Sequence, residues 1–168
     1  MVMLRDEASD MKKAGLEGFV SIQELVATSC QCVPTRPGVY VVLAKSGERP
    51  SFLAKSPAGR FKRKDPTVSR ASLEKNWVRG ARVLYFGKAG GPDSDATLQS
   101  RLLQFMKFGK GEPVGHWGGR LIWQIADSAG FVLCWKATPE EEPREVEKRL
   151  IREFVQRHLT LPFANLRD

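Results

Sequence analysis

The chain has 168 residues, 42% of them hydrophobic and 27% charged, which is a globular composition of about one domain's length and excludes collagen, coiled coil and wholesale disorder. Its 27 Lys and Arg against 19 Asp and Glu leave a net charge of +8, which points to an acidic partner. The longest apolar run, residues 39–44, is far short of the roughly 20 residues that a bilayer core demands, so no membrane span is expected.

The opening MVMLRDEASDMKK puts Asp6, Glu7 and Asp10 where a secretory signal needs an apolar stretch, and a cytoplasmic location is the expectation. Residues 1–36 read as a charged lead with one short helix, for which Ser21 is the cap and Glu24 sits at the capping-box position. Cys30, Cys32 and Cys134 are an odd count without metal-ligand spacing, and all three read as reduced thiols. Pro34, Pro37 and Gly38 precede residues 39–43, a β-rich run that predicts a strand.

Residues 45–82 carry eleven cations against three carboxylates, the whole surplus of the chain, and the remainder balances at sixteen against sixteen. This segment is punctuated by Pro50, Pro57, Gly59 and Pro66 and reads as a long excursion from the core. Lys62, Arg63, Lys64, Arg70, Lys75 and Arg79 are the candidate phosphate contacts, with Phe52, Phe61 and Trp77 as stacking platforms among them. A merely solubilising basic loop is the plainer alternative.

Residues 82–86 predict a second strand, ended by Gly87. Lys88, Ala89, Gly90, Gly91 and Pro92 then predict a glycine-rich loop leading to a helix capped by Asp93 or Asp95. Leu98, Leu102, Phe105 and Met106 form that helix's apolar stripe, and Arg101 lies on its rim, about 60° from Leu98 on the wheel. Residues 113–120 form a second glycine-rich loop around His116 and Trp117. Residues 121–126 fit a short helix or a strand, and residues 131–135 a third strand.

The last helix starts between Pro139 and Pro143, with Glu140, Glu141, Glu142 and Glu145 at its positive dipole end. Val146, Leu150, Ile151, Phe154 and Val155 make its apolar stripe, yet Glu147 falls at about 100° from Val146, in the middle of that arc. A carboxylate there is costly unless paired or bound to a cation, so Glu147 is either a metal ligand or half of a buried ion pair.

In order, the chain presents Gly38-Val39-Tyr40, Tyr85-Phe86-Gly87-Lys88, Arg101, Glu147-x-x-Leu150-Ile151-x-x-Phe154, and Pro162-Phe163-Ala164-Asn165. From residue 37 to 165 this resembles the GIY-YIG nuclease superfamily. The resemblance implies an α+β fold with a small three-stranded, mainly antiparallel sheet flanked by helices, carried by a domain at 37–168 into which 45–82 is inserted. It implies a metal-dependent endonuclease acting on DNA, with RNA left open as a partner. Glu147 would hold Mg²⁺ or Mn²⁺, Arg101 would bind the scissile phosphate, and Tyr40 or Tyr85 would take the proton of the attacking water. Lys88 would lower that tyrosine's pKa or touch phosphate, and Asn165 would support the cleft. Three features depart from the family pattern. Phe105 stands one turn after Arg101, where many members carry His or Tyr, and His116 is a candidate replacement. Glu147 lies 18 residues before Asn165, a wide spacing that makes Glu153 a rival ligand. More than 40 residues separate the tyrosine motifs, the basic insertion filling the gap. A nucleic-acid binder that keeps the fold without cleaving is the alternative function. Oligomeric state is not legible.

Overall fold

The fold grows outward from one strand. In the computed structural model, which describes residues 6–166, Gly38–Leu43 (β2) has all six residues buried. Such a strand, covered on both faces, reads as an unbroken apolar run rather than as alternation. Val83–Ala89 (β3) pairs with one side of β2 and Val132–Ala137 (β4) with the other, both antiparallel. Glu17–Ser21 (β1) adds beyond β4, giving an open antiparallel sheet of order β1-β4-β2-β3. The architecture is α+β, with four strands where three were expected. The extra strand lies in the lead, which was expected to hold only a helix. Its pairing is interrupted by a bulge between Gly18 and Val20, with Phe19 at a left-handed φ of 55°, and this breaks the alternation that marks a strand in sequence.

The two sheet faces are covered differently. Val39, Val41, Leu43 and Phe86 pack against Glu7–Lys13 (α1) and Pro143–His158 (α5), whose Val146, Leu150, Ile151 and Phe154 are buried as the apolar stripe predicts. Tyr40, Val42, Leu133 and Trp135 face Ile22–Ala27 (α2), Leu98–Gly109 (α4) and the 3₁₀ segment Trp117–Gln124, which kinks at Gly119. Residues 121–124 therefore lie in a 3₁₀ helix, the helical alternative, and Ile125 forms only an isolated bridge with Phe52. Ser21 caps α2 as expected, accepting from the Glu24 N–H at 3.1 Å.

Two terminal assignments change. β3 continues through Gly87 and Lys88 to Ala89, so Lys88 is a strand residue and not part of a loop. The cap of α4 is Thr97, in a reciprocal capping box with Ser100, instead of Asp93 or Asp95. Those two aspartates flank Ser94, whose N–H closes a turn onto the Gly91 carbonyl, one turn too early to start the helix. The insertion is also more ordered than a loop, for it contains Arg70–Asn76 (α3). It is pinned to the core by Gln124, which is buried. The Gln124 amide donates to Leu53 O and Val68 O and its oxygen accepts from Val68 N–H.

Among the described residues no helix is long and apolar enough to cross a membrane. Cys30, Cys32 and Cys134 are unpaired thiols.

α1 is latched to the sheet by one carboxylate. Glu7 is 4% exposed and accepts from the backbone N–H groups of Arg82 and Val83, while His158 at the end of α5 lies 3.0 Å from its other oxygen. Replacing Glu7 by Ala strands two backbone donors, so Glu7→Ala is expected to cost about 2 to 4 kcal/mol in urea unfolding. A loss below about 0.5 kcal/mol, the range of ordinary surface changes, would show that water takes over both bonds.

Candidate active-site cleft

Tyr40 projects from the centre of the sheet and is 1% exposed. It faces Gly87 across β2 and β3, and a Cβ at position 87 would stand 2.2 Å from the Tyr40 ring. Only glycine lets that ring lie across β3, which explains the third residue of Tyr85-Phe86-Gly87. Tyr85 lies beside it, ring centroids 6.1 Å apart and planes inclined by 54°. Burial first, then the neighbouring Tyr85, raises the Tyr40 hydroxyl well above its ordinary pKa. Burial first, then Glu147, pushes Tyr85 up to about 12. Both are neutral phenols at rest.

The Tyr40 hydroxyl lies 2.7 Å from Nε2 of His116. His116 comes from the glycine-rich loop, is fully buried, and packs on Phe105 with ring centroids 4.6 Å apart. Phe105 thus walls the imidazole instead of contributing a hydrogen bond. Burial first, then the Arg101 charge, pulls the His116 pKa well below its ordinary 6.5 and keeps the ring neutral. Its Nδ1 has no hydrogen-bond partner among the described residues.

Arg101 is half-buried on α4, as its rim position predicts. Its Nη1 donates to the Gly115 carbonyl at 2.8 Å and to Gln104 Oε1 at 3.2 Å. The bond to Gly115 fixes the loop immediately before His116. Lys88 from β3 and Glu147 from α5 join Tyr40, Tyr85, Arg101 and Gln104 in lining a cleft of about 440 Å³. The cleft thus gathers residues from β2, β3, α4 and α5, five of them expected from the sequence. Glu147 is half-buried and makes no hydrogen bond or ion pair within 4.0 Å among the described residues. Burial raises its pKa, outweighing the opposing pull of Lys88, Arg144 and Arg101.

Asn165 sits behind this group. Its amide accepts from Phe86 N–H at 2.9 Å and donates to Phe86 O at 3.0 Å, satisfying the outward backbone of edge strand β3. Its support is to the strand that carries Tyr85. Glu153 is exposed on α5 and lines neither this cleft nor its neighbour.

Six other sequence candidates lie apart. Lys62, Arg63 and Lys64 form an exposed turn in which Lys62 and Arg63 both have left-handed φ, 51° and 64°. Arg70 and Lys75 are exposed on α3, and Arg79 is exposed just after it. None of the six lines the Tyr40 cleft. Phe52 and Trp77 are not free stacking platforms, because both pack on Phe163, with centroids at 5.9 and 5.5 Å, Phe52 inside the core and Trp77 half-buried against it.

A second cleft of about 710 Å³ shares Tyr85 and Glu147 with the first and adds Trp117, Arg120, Arg144 and Lys148. The charge balance hid these cations, since outside 45–82 the chain sums to zero. No family model matches the chain, and no curated protein or solved structure matches it.

The His116 environment sets a pH signature. The unfolded chain protonates this imidazole near 6.5 and the folded chain only well below it. The neutral ring's contribution is fully present above pH 6.5 and is lost as pH falls below that value. Unfolding free energy is expected to decline between pH 7 and 5, and His116→Gln to flatten the decline. Parallel curves for the two proteins would place the proton uptake elsewhere.

Proposed function

We propose that the chain is a metal-dependent endonuclease that resembles the GIY-YIG nucleases and hydrolyses DNA phosphodiester bonds. The observation that carries this reading is the convergence of Tyr40, Tyr85, Lys88, Arg101 and Glu147, from two strands and two helices, on one cleft. Solvated charges and core aromatics taken singly give no reason for that meeting.

Among the described residues no three His, Cys, Asp or Glu side chains gather as a metal cage. The donor set fits Mg²⁺ or Mn²⁺ all the same: a hard cation of this type keeps several waters and binds through one or two carboxylates together with substrate phosphate. Glu147, unpaired and with three cations influencing it from nearby, is that carboxylate. A bound divalent ion supplies Lewis acidity at the phosphoryl oxygens.

The chain's own residues do the rest. Arg101 spends Nη1 on Gly115 and Gln104, and its remaining N–H donors are available to oppose charge on the pentacoordinate phosphorus. Lys88 adds a second cation at the same wall. Tyr40 is the better placed of the two tyrosines to orient the attacking water. A phenol with a raised pKa cannot serve as a resting phenolate, but Tyr40, steered by neutral His116 Nε2, can accept a hydrogen bond from that water and hold it toward phosphorus. The water oxygen bonds to phosphorus as its proton passes to solvent, the P–O bond to the leaving nucleoside breaks, and the leaving oxygen takes a proton from solvent. His116 thereby fills the role left open by Phe105, which favours a cleaving enzyme over a silent binder. The basic turn at residues 62–64 is the DNA grip outside the cleft.

Glu147→Gln is expected to abolish Mg²⁺-dependent plasmid nicking while leaving DNA affinity equal or higher. Because burial already disfavours the charged form, thermal stability without metal is expected to stay equal or rise. A destabilised variant that still nicks would make Glu147 a structural ion. For the grip, Lys62→Asn, Arg63→Asn and Lys64→Ala together respect the left-handed backbone, which Asn tolerates. The slope of log affinity against log salt should become shallower by roughly 2 to 3 for three lost phosphate contacts. An unchanged slope removes this turn from the interface.

A further inference from the structure

The cations facing the larger cleft combine a shared wall with the absence of a counter-ion. Arg49, Arg60, Arg82, Arg149 and Arg157 each pair with a carboxylate. Arg120, Arg144 and Lys148 make no ion pair within 4.0 Å among the described residues, yet all three line the 710 Å³ cleft. Arg120 is the most constrained. Its guanidinium lies over the Trp117 ring, 4.8 Å from the centroid, and Nη1 donates to the Trp117 carbonyl at 3.1 Å. It is half-buried, and burial lowers its pKa. Desolvating a cation without a counter-ion is unfavourable, and the site keeps the cost unless an anion arrives.

We infer that Arg120, Arg144 and Lys148 form a second phosphate subsite, which binds a phosphodiester neighbouring the cleaved one on the same DNA strand. The two clefts lie side by side and share Tyr85 and Glu147 as lining residues, so one strand can lay one phosphate against Arg101 and Lys88 and another against this trio. Trp117 fixes the plane of Arg120, whose fork matches two phosphate oxygens. Arg144 and Lys148, on successive turns of α5, contribute point charges. Glu147 lies between the two subsites, the place that a carboxylate serving the scissile phosphate must occupy. This inference rests on the reading of the chain as a DNA-cleaving enzyme, and the subsite decides how the strand is registered over Glu147.

The test is binding without metal, by fluorescence anisotropy of a labelled DNA duplex in EDTA across a salt series. Arg144→Ala with Lys148→Ala, at positions making no ion pair, should fold normally and make the slope of log affinity against log salt shallower by about 1.8, at roughly 0.9 per lost contact. Arg120→Lys keeps the charge and loses the fork, so affinity should fall about tenfold with the slope unchanged, within the discrimination expected of a bidentate site. Unaltered affinity and slope in the double variant would overturn the subsite and leave the nuclease reading intact. Wild-type protein that binds no DNA would overturn both. DNA affinity that stays unaltered in EDTA at inorganic phosphate concentrations that occupy the trio would make it a free-anion site and also overturn the inference.

Discussion

The buried bond between the Tyr40 hydroxyl and His116 Nε2, 2.7 Å long, ties the centre of the sheet to the loop that closes over it. A hydrogen bond in such a place is electrostatically strong, and breaking it leaves two polar groups unsolvated. The surrounding contacts converge on it. Gly87 makes room for the Tyr40 ring, Phe105 backs the imidazole, and Arg101 holds the Gly115 carbonyl one residue upstream. Arg101 thus has two duties, to the loop and to the cleft. The same Arg101 charge that faces the cleft also helps keep His116 unprotonated, ready to accept from a phenol.

The parts of this arrangement that were legible in the sequence are those written in periodicity. β2 appears as an unbroken apolar run, α4 and α5 as stripes, and Glu147 as the charge that violates its stripe. That arithmetic put it in the middle of the buried arc, and the structure leaves it half-buried on the cleft wall. β1 could not be read, since a bulge and a left-handed Phe19 erase its alternation. Nor could the fate of Phe52 and Trp77, because an aromatic residue in a basic segment looks the same whether it stacks on a base or on Phe163. The partnership of Tyr40 with His116 spans 76 residues and depends on where a glycine-rich loop lands, which no local pattern specifies. The loop's companion, Phe105, looked like a missing donor and proves to be the wall that desolvates one.

Charge is divided in the same way between what composition records and what folding assembles. The surplus of residues 45–82 is visible as a count, yet its exposed turn at Lys62, Arg63 and Lys64 lines neither cleft. The cations that flank Glu147 come from a region of zero net charge, where Arg144 and Lys148 are interspersed with Glu140, Glu141, Glu142 and Glu145. α5 sorts them by face. Glu141 is drawn away to Arg149 by a hydrogen-bonded ion pair, and Arg144 and Lys148 are left toward the cleft.

An open sheet must also protect its edges, since unpaired strand N–H and C=O groups invite association with another chain. At the β3 edge the chain does this with its own C-terminal segment: Ala164 N–H bonds to Leu84 O, and the Asn165 amide covers both outward groups of Phe86. The residues so covered bracket Tyr85. Stapling the backbone on either side of Tyr85 keeps its ring from following any breathing of the edge, and Asn165 and Ala164 themselves become part of the wall of the larger cleft. Edge protection and cleft construction are therefore one structural act. That explains why a short amide side chain, able to donate and accept at once, stands at position 165, where an aspartate would leave the Phe86 carbonyl without a donor and add a negative charge to the wall of the larger cleft.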